Sequence, residues 1–438
     1  MARHLAAFQR LLGRENVLTT GLEAYNTDFL RTIRGAAQTV LRPKDALETS
    51  EVLKYCSQWR ISVVPQGGNT GLSGGNIAQD EKELILSTSR MTTELKIDPD
   101  LPAVFSTAGN VLESVTEACK RHRFTFPLDL GAKGSCQIGG NLATNAGGLR
   151  YLRYGSLHHN VIGLEVVLPS GEILTDMDNL RKQNTGWDLK QLFIGSEGTL
   201  GVITKAAVSL YPQSCSVQVC LFGCSSFAQV LSLYSAAKLR LGEVLSAFEY
   251  YDSASHMLVL KHVPGTSDPF PRPYPFYVVI ETSGSEEAHD REKLISFLDS
   301  TSETAGLEGV LAQDEKEREK LWRLRETCAV AYVKEGPTHV YDFSLPIEHF
   351  EDTVQKAARL IGDKGLVVGL GHLGDANLHI GVVQSKGKLA KDFEPQLYEL
   401  VQARKGSISA EHGIGSVKAR DLWRSKSRES IAMMVKCM

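Results

Sequence analysis

The chain has no run of eighteen consecutive apolar residues, so its sequence predicts no membrane-spanning helix. It also lacks the apolar stretch of a secretory signal. Met1-Ala-Arg-His-Leu-Ala-Ala-Phe-Gln-Arg10 is short, basic and amphipathic, and reads as the first helix of the fold. None of the 8 cysteines (Cys56, Cys119, Cys136, Cys215, Cys220, Cys224, Cys328, Cys437) forms a Cys-x-x-Cys pair. In a chain of 438 residues they make no disulfide framework, and buried reduced thiols are expected. There is no strong charge of either sign: a formal net charge of −3 and a pI near 6.5 give no electrostatic case for nucleic acid or an anionic membrane. A small anionic substrate is compatible with that balance, because a local pocket can be basic in an acidic protein. No internal repeat with a period of 20–50 residues is visible, which sets solenoids and propellers aside.

What is present is ordinary globular composition, 42% hydrophobic and 23% charged, in a chain too long for one core, so two or three domains are expected. Residues 1–34 read as a helical lead-in. Residues 35–213 are dense in glycine, with short β runs at Ser62–Val64, Glu83–Ser87, Ala103–Phe105 and Val161–Leu168 and helical segments at Ala46–Cys56 and Val111–Lys120. Residues 214–438 carry longer elements, with helices predicted at Phe227–Leu241, Glu286–Leu298, Gln313–Val333 and Glu348–Leu360 and a strand at Phe276–Glu281. The fold class is α+β. Pro269-Phe-Pro-Arg-Pro-Tyr-Pro275 is a loop, because its proline spacing forbids helix and central strand.

Val367–Val383 reads as two apolar strands joined at Gly374-Asp375-Ala376-Asn377. That turn closes Leu373 on Leu378 and sets His372 directly opposite His379, where two imidazoles on one sheet face can bind one cation. Glu411 downstream supplies a third ligand, and two histidines with a carboxylate leave a position open for substrate. His412 beside it suits proton transfer near neutrality. Zinc is the expected metal for this donor set, with manganese or cobalt as alternatives. His158 and His159 read as a loop pair without a partner signal.

Gly369-Leu-Gly371-His-Leu-Gly374 matches a dinucleotide fingerprint, but no helix opens after its last glycine. Three other clusters carry more. Pro65-Gln-Gly-Gly-Asn-Thr-Gly-Leu-Ser-Gly-Gly75 follows a strand and can form a backbone nest for a pyrophosphate. Leu128–Gly148 permits close approach of a large flat ligand, with Ser135, Thr144 and Asn145 as hydrogen-bonding groups. Gly195-Ser-Glu-Gly-Thr-Leu-Gly201 precedes a third strand.

In this order, together with Gly371–His379 and Ser409–Gly413, these motifs resemble the vanillyl-alcohol-oxidase, or PCMH-type, FAD flavoproteins of the FAD-binding oxidoreductase/transferase type 4 family, over nearly the whole chain. The resemblance implies a PCMH-type FAD-binding domain over residues 35–213, then an α+β substrate/cap domain and a C-terminal segment. It assigns FAD contacts to Pro65, Gly67, Gly68, Asn69, Thr70, Gly71, Leu128, Gly131, Ser135, Gly139, Gly140, Asn141, Thr144, Asn145, Gly148, Gly155, Glu197, Gly198 and Ile203. Asn69 stands where relatives with covalent flavin carry histidine, which implies non-covalent FAD. Arg325 matches the family arginine that holds substrate carboxylate, with a planar bidentate donor suited to it. The implied reaction is oxidation of a small anionic D-2-hydroxy acid, D-2-hydroxyglutarate to 2-oxoglutarate, in the mitochondrial matrix, with electron-transfer flavoprotein as acceptor. Alternatives are D-lactate or another monocarboxylate, a flavin-free zinc hydrolase, and a non-catalytic truncated paralogue.

Three positions depart from the family's substrate contacts. Ala329 stands for a threonine, Val340 for a lysine and Gly381 for an asparagine. Each lost charged contact is expected to weaken a distal carboxylate by roughly 1–3 kcal/mol. Relatives also continue beyond the position of Met438 with a proline- and glycine-containing tail, so a shortened chain is expected.

Overall fold

Asp45 fixes the start of the longest helix of the glycine-rich region: its side chain accepts from Glu48 N, and Ala46–Trp59 follows until Arg60 turns left-handed at φ 51°. The computed structural model describes residues 2–178, 180–386 and 389–438, so Met1 of the expected lead-in lies outside the described residues. Two compact units result. The first comprises residues 1–147, 154–213 and 411–438; the second comprises 148–153 and 214–410.

In the first unit, a mixed sheet orders Val17–Leu18, Val40–Leu41, Leu84–Ser87 and Val63–Gln66, the last three parallel. Val52, Leu53 and Cys56 of the capped helix pack with Leu41, Leu84 and Leu86, where helical spacing brings one apolar stripe onto the sheet. A second, antiparallel sheet orders Leu95–Asp98, Ala103–Thr107, Val202–Ser209, Val161–Val167 and Ile173–Asp176. Helices Leu112–Arg121 and Ile138–Ala143 bury Leu112, Val115, Ile138 and Leu142 with Val104, Leu164 and Val208 of this sheet.

The second unit is built on one antiparallel sheet of strands β1 (Ser216–Cys224), β2 (Leu245–Asp252), β3 (Phe276–Gly284), β4 (Glu308–Leu311), β5 (Thr338–Ser344), β6 (Gly365–His372) and β7 (Asn377–Gln384). Their order across the sheet is β4-β1-β3-β2-β6-β7-β5. Helices α1 (Ser253–His262), α2 (Glu315–Glu326) and α3 (Cys328–Glu335) cover one face, over Tyr251, Tyr277, Val279, Val368, Leu370 and Val383. Helices Phe227–Leu241 and Phe350–Ile361 cover the other through Phe248 and Tyr250. The helix expected over Gln313–Val333 is two helices. The first ends at Thr327 (φ −90°, ψ 2°), whose hydroxyl bonds back to Arg323 O at 2.7 Å, a local bond that competes with helix continuation. All eight cysteines are free thiols, and burial pushes Cys56, Cys119, Cys224 and Cys328 up to about 12. No helix among the described residues is long and apolar enough to cross a membrane.

The turn between β6 and β7 differs from the expected one. Leu373–Asp375 forms a 3₁₀ turn and Ala376 is left-handed at φ 60°, so His372 closes on Asn377 and His379 pairs with Leu370. The two histidines are therefore diagonal neighbours on one face instead of directly opposed. The sequence places the turn at Gly374–Asn377 because Gly, Asp and Asn favour such positions; alanine rarely adopts positive φ.

Candidate active site

The pyrophosphate-type loop begins where Val63–Gln66 ends. Gln66 Nε2 donates to Tyr25 O at 3.0 Å and to Asn76 O at 2.7 Å, which ties down both ends of residues 67–75. A side chain on Gly68 would put its Cβ 1.9 Å from Ser135 O, and one on Gly67 would meet Gly140 Cα at 3.5 Å. Gly139 lies as close to Ala108, with 2.6 Å to its Cβ. Gly68 thus lets residues 65–71 and 135–140 meet in one cradle where a Cβ would clash, and Gly139 seats the second loop on Ala108 in the same way. Gly68→Ala is expected to force the two loops apart, and the purified variant should show a flavin band reduced at least several-fold. A normal band would remove the close approach as a requirement.

Asn69 (φ 57°) donates through Nδ2 to Ala24 O at 2.7 Å and Thr27 O at 2.8 Å, and its amide oxygen receives Asn76 Nδ2. Asn145 is also left-handed (φ 48°), and its buried Oδ1 has no hydrogen-bond partner. A buried acceptor left so is costly without a ligand, so its orphaned oxygen fits a cofactor with a polar edge. Thr144 Oγ1 bonds to Gly140 O at 3.1 Å, Ser135 Oγ lies 3.4 Å from Ala132 O, and Asn141 Nδ2 lies 3.6 Å from Cys136 Sγ. Gly131 has open space around it, Gly155 is left-handed at φ 71°, and Gly198 (φ 77°) lies against Pro65. Leu128 and Ile203 are buried in the core beneath the second sheet. Gly148 (φ 123°) belongs to the second unit. His158 and His159 lie in the short helix Leu157–Asn160, with His158 Nδ1 on Gln191 Oε1.

The segment after Glu411 is stitched to the same loops. Ser73 Oγ donates to His412 O at 2.8 Å, Val417 N to Ser73 O at 3.1 Å, and Ser416 Oγ to Gly74 O at 3.1 Å. Glu197 Oε1 and Oε2 receive Ile414 N and Gly415 N, each at 2.8 Å. His412 Nε2 lies 3.8 Å from Glu411 Oε1.

In the second unit a polar row crosses four strands. Glu249 on β2 stands opposite His372 on β6, and Asp342 on β5 stands opposite His379 on β7. All four side chains share one face, and the imidazole centroids are 5.3 Å apart and perpendicular. His372 Nδ1 lies 2.8 Å from Glu249 Oε1, and Arg325 Nη2 donates to Glu249 Oε2 at 2.8 Å. Arg325 comes from α2, is only 6% exposed, and keeps Nε without a partner, so it retains donors beyond the Glu249 bond. His379 Nδ1 is 3.8 Å from Asp342 Oδ1, while Asp342 Oδ2 accepts Ala410 N at 3.0 Å and Ser409 Oγ at 3.3 Å. Ala410 directly precedes Glu411 in the chain. The carboxylate at His372 Nδ1 orients that ring and leaves Nε2 as the ligating atom, so the donor chemistry of this row suits a divalent metal.

The sequence reading missed Glu249 and Asp342. It also missed Glu281 on β3, whose buried carboxylate receives Arg150 Nη1 at 2.7 Å, Ser246 Oγ at 2.7 Å and Trp322 Nε1 at 2.9 Å. The decoy glycines Gly369–Gly374 run from strand to turn and back to strand, as their context predicts.

Comparison with known proteins adds the following. Residues 37–176 match the family described as FAD binding domain, and residues 214–437 match FAD linked oxidases, C-terminal domain. The chain is 43% identical to D-2-hydroxyglutarate dehydrogenase, mitochondrial, of Arabidopsis thaliana, covering 99% of this chain and 78% of that protein. It is 45% identical to the Danio rerio protein of the same name, covering 98% of this chain and 81% of that one. Among solved structures, p-cresol methylhydroxylase with substrate bound superposes with a TM-score of 0.79 over 99% of this chain and 93% of that one, at 14% identity.

Proposed function

From the premise that the chain belongs to the FAD linked oxidases, in the family of the D-2-hydroxyglutarate dehydrogenases, we propose that it oxidises D-2-hydroxyglutarate to 2-oxoglutarate at a metal-assisted site. The chain is an FAD-dependent dehydrogenase of a 2-hydroxy acid, mitochondrial like its relatives. The observation that carries the metal reading is the row in which His372 and His379 each face a buried carboxylate.

His372, His379 and Glu411 would hold a divalent ion, zinc by donor type, which would supply a Lewis acid for the 2-hydroxyl and its neighbouring carboxylate. FAD, held without a covalent link because position 69 is asparagine and not a histidine able to bond to it, would supply the hydride acceptor. Arg325 binds the substrate carboxylate through donors not used by Glu249. His412 takes the 2-hydroxyl proton as C2 gives up its hydride. Electron-transfer flavoprotein is the acceptor in this reading.

A second reading is favoured by one feature. Val340 lies opposite Gly381, two positions along from the Asp342–His379 pair on the same face. A Cβ at Gly381 would meet Val368 Cγ2 at 2.7 Å and the Tyr332 ring at 3.2 Å, so this stretch is closed and apolar. Such a wall suits a shorter or apolar 2-hydroxy acid, D-lactate among them, over a five-carbon diacid.

An absorbance spectrum of the purified protein, followed by dye reduction with D-2-hydroxyglutarate and D-lactate, tests both readings. A flavin band with faster reduction by D-2-hydroxyglutarate is the expected result. Faster reduction by D-lactate transfers the conclusion to the second reading, and no flavin band after FAD addition removes both.

A further inference from the structure

We propose that Glu197 is a positioning residue for His412, acting as an internal anion that grips the backbone just after it, and not a flavin contact. The inference rests on the reading of His412 as proton acceptor. Each Glu197 oxygen accepts a backbone N–H of this segment, Oε1 from Ile414 N and Oε2 from Gly415 N, each at 2.8 Å. Gly413 (φ 81°) and Gly415 (φ 49°) are left-handed, and such turns aim consecutive N–H groups at one anion. Here the anion is a side chain of the protein itself. A Cβ on Gly413 would lie 2.8 Å from Glu197 Oε1, so the turn is wrapped closely around the carboxylate.

Glu197 itself is left-handed at φ 54°, a conformation unusual for a residue with a side chain. Its N–H donates to Ala143 O at 2.7 Å, at the end of the glycine helix, and Gly198 beside it packs on Pro65. The loop that carries Glu197 is thereby anchored to both glycine loops, while its carboxylate lies between Gly75 and the 413–415 turn, 3.3 Å from where a Cβ on Gly75 would sit. On the same C-terminal side of His412, its own carbonyl is held by Ser73 Oγ at 2.8 Å. The backbone leaving His412 is thus held at three points, His412 O, Ile414 N and Gly415 N, by Ser73 and Glu197 of the glycine loops. That clamp explains why the Gly-Ser-Glu-Gly motif needs an acid: a neutral side chain offers one good acceptor where two N–H groups converge.

The test compares full-length holoenzymes carrying Glu197→Gln, Glu197→Ala, Ser73→Ala and His412→Asn by flavin absorbance and by kcat and KM in dye reduction with D-2-hydroxyglutarate. Glu197→Ala is expected to keep its flavin and its KM while kcat falls about 10- to 100-fold, because a displacement near 1 Å at a reacting group has that effect. Glu197→Gln, which keeps one acceptor, should fall between it and the native protein. Ser73→Ala should lower kcat in the same direction and combine with Glu197→Gln less than multiplicatively, since both act on one peptide. Loss of flavin from the Gln variant, or unchanged kcat in both Glu197 variants beside a slow His412→Asn, would overturn the positioning role alone. An unchanged rate in His412→Asn would overturn the proton-acceptor reading itself. If the Ala variant does not fold, the Gln and Ser73 variants carry the same comparison.

Discussion

His372→Ala should lower dye-linked turnover by roughly 10³-fold or more while leaving the flavin band in place, because a Lewis acid contributes several kcal/mol and each 1.36 kcal/mol is tenfold in rate. The flavin cradle lies in the first unit and His372 in the second, so the substitution touches none of the glycine contacts. Metal analysis of the purified variant should show the divalent ion depleted alongside activity. His379→Ala should behave in the same way, since both rings share one face with centroids 5.3 Å apart. A variant that keeps full metal content and full rate would exclude His372 as a ligand.

Glu249→Ala should strongly destabilise the second unit. Its carboxylate is buried and is shared between His372 Nδ1 and Arg325 Nη2, with Arg325 itself 6% exposed. Removing it leaves a guanidinium buried without its counter-charge, which costs about 3–5 kcal/mol and corresponds to a drop of roughly 10 °C in apparent melting temperature. The ring of His372 also loses the group that orients it, for a further 10–100-fold or so in metal affinity. Paired replacement separates the two effects. Glu249→Leu with Arg325→Met removes both charges, so stability should largely return, because an apolar pair of similar volume is often neutral. Turnover should stay lost. A single Glu249→Ala variant that melts normally would show that Arg325 is not held by this carboxylate.

The glycine loops were legible because their chemistry is local: close approach and positive φ demand glycine, and Gly68 and Gly139 sit at such approaches. The partners of the histidines were not. Glu249 lies in Leu245–Asp252, a strand buried on both faces along nearly its whole length, where the alternation that betrays a half-exposed strand is absent. Asp342 lies beside Val340 in a strand whose pairing with β7 depends on residues forty positions away, which no local pattern encodes. The register of the histidine hairpin was misplaced for a related reason. Its closure depends on Ala376 adopting a left-handed conformation that the surrounding sheet imposes on a residue with no preference for it. Arg325 was legible as a binder of carboxylate, but its claim on Glu249 became visible only when α2 was laid over β2.

The bond between Ser73 and His412 spans 339 positions of sequence. During synthesis, the ribosome must therefore complete all of residues 214–410 before the strand-end loop that cradles the cofactor can receive its last backbone partners. At about 5–20 residues per second, making the 339 positions from Ser73 to His412 takes roughly 20–70 s. A loop made early is thus completed by a segment made late, and its last backbone partners can form only once both exist.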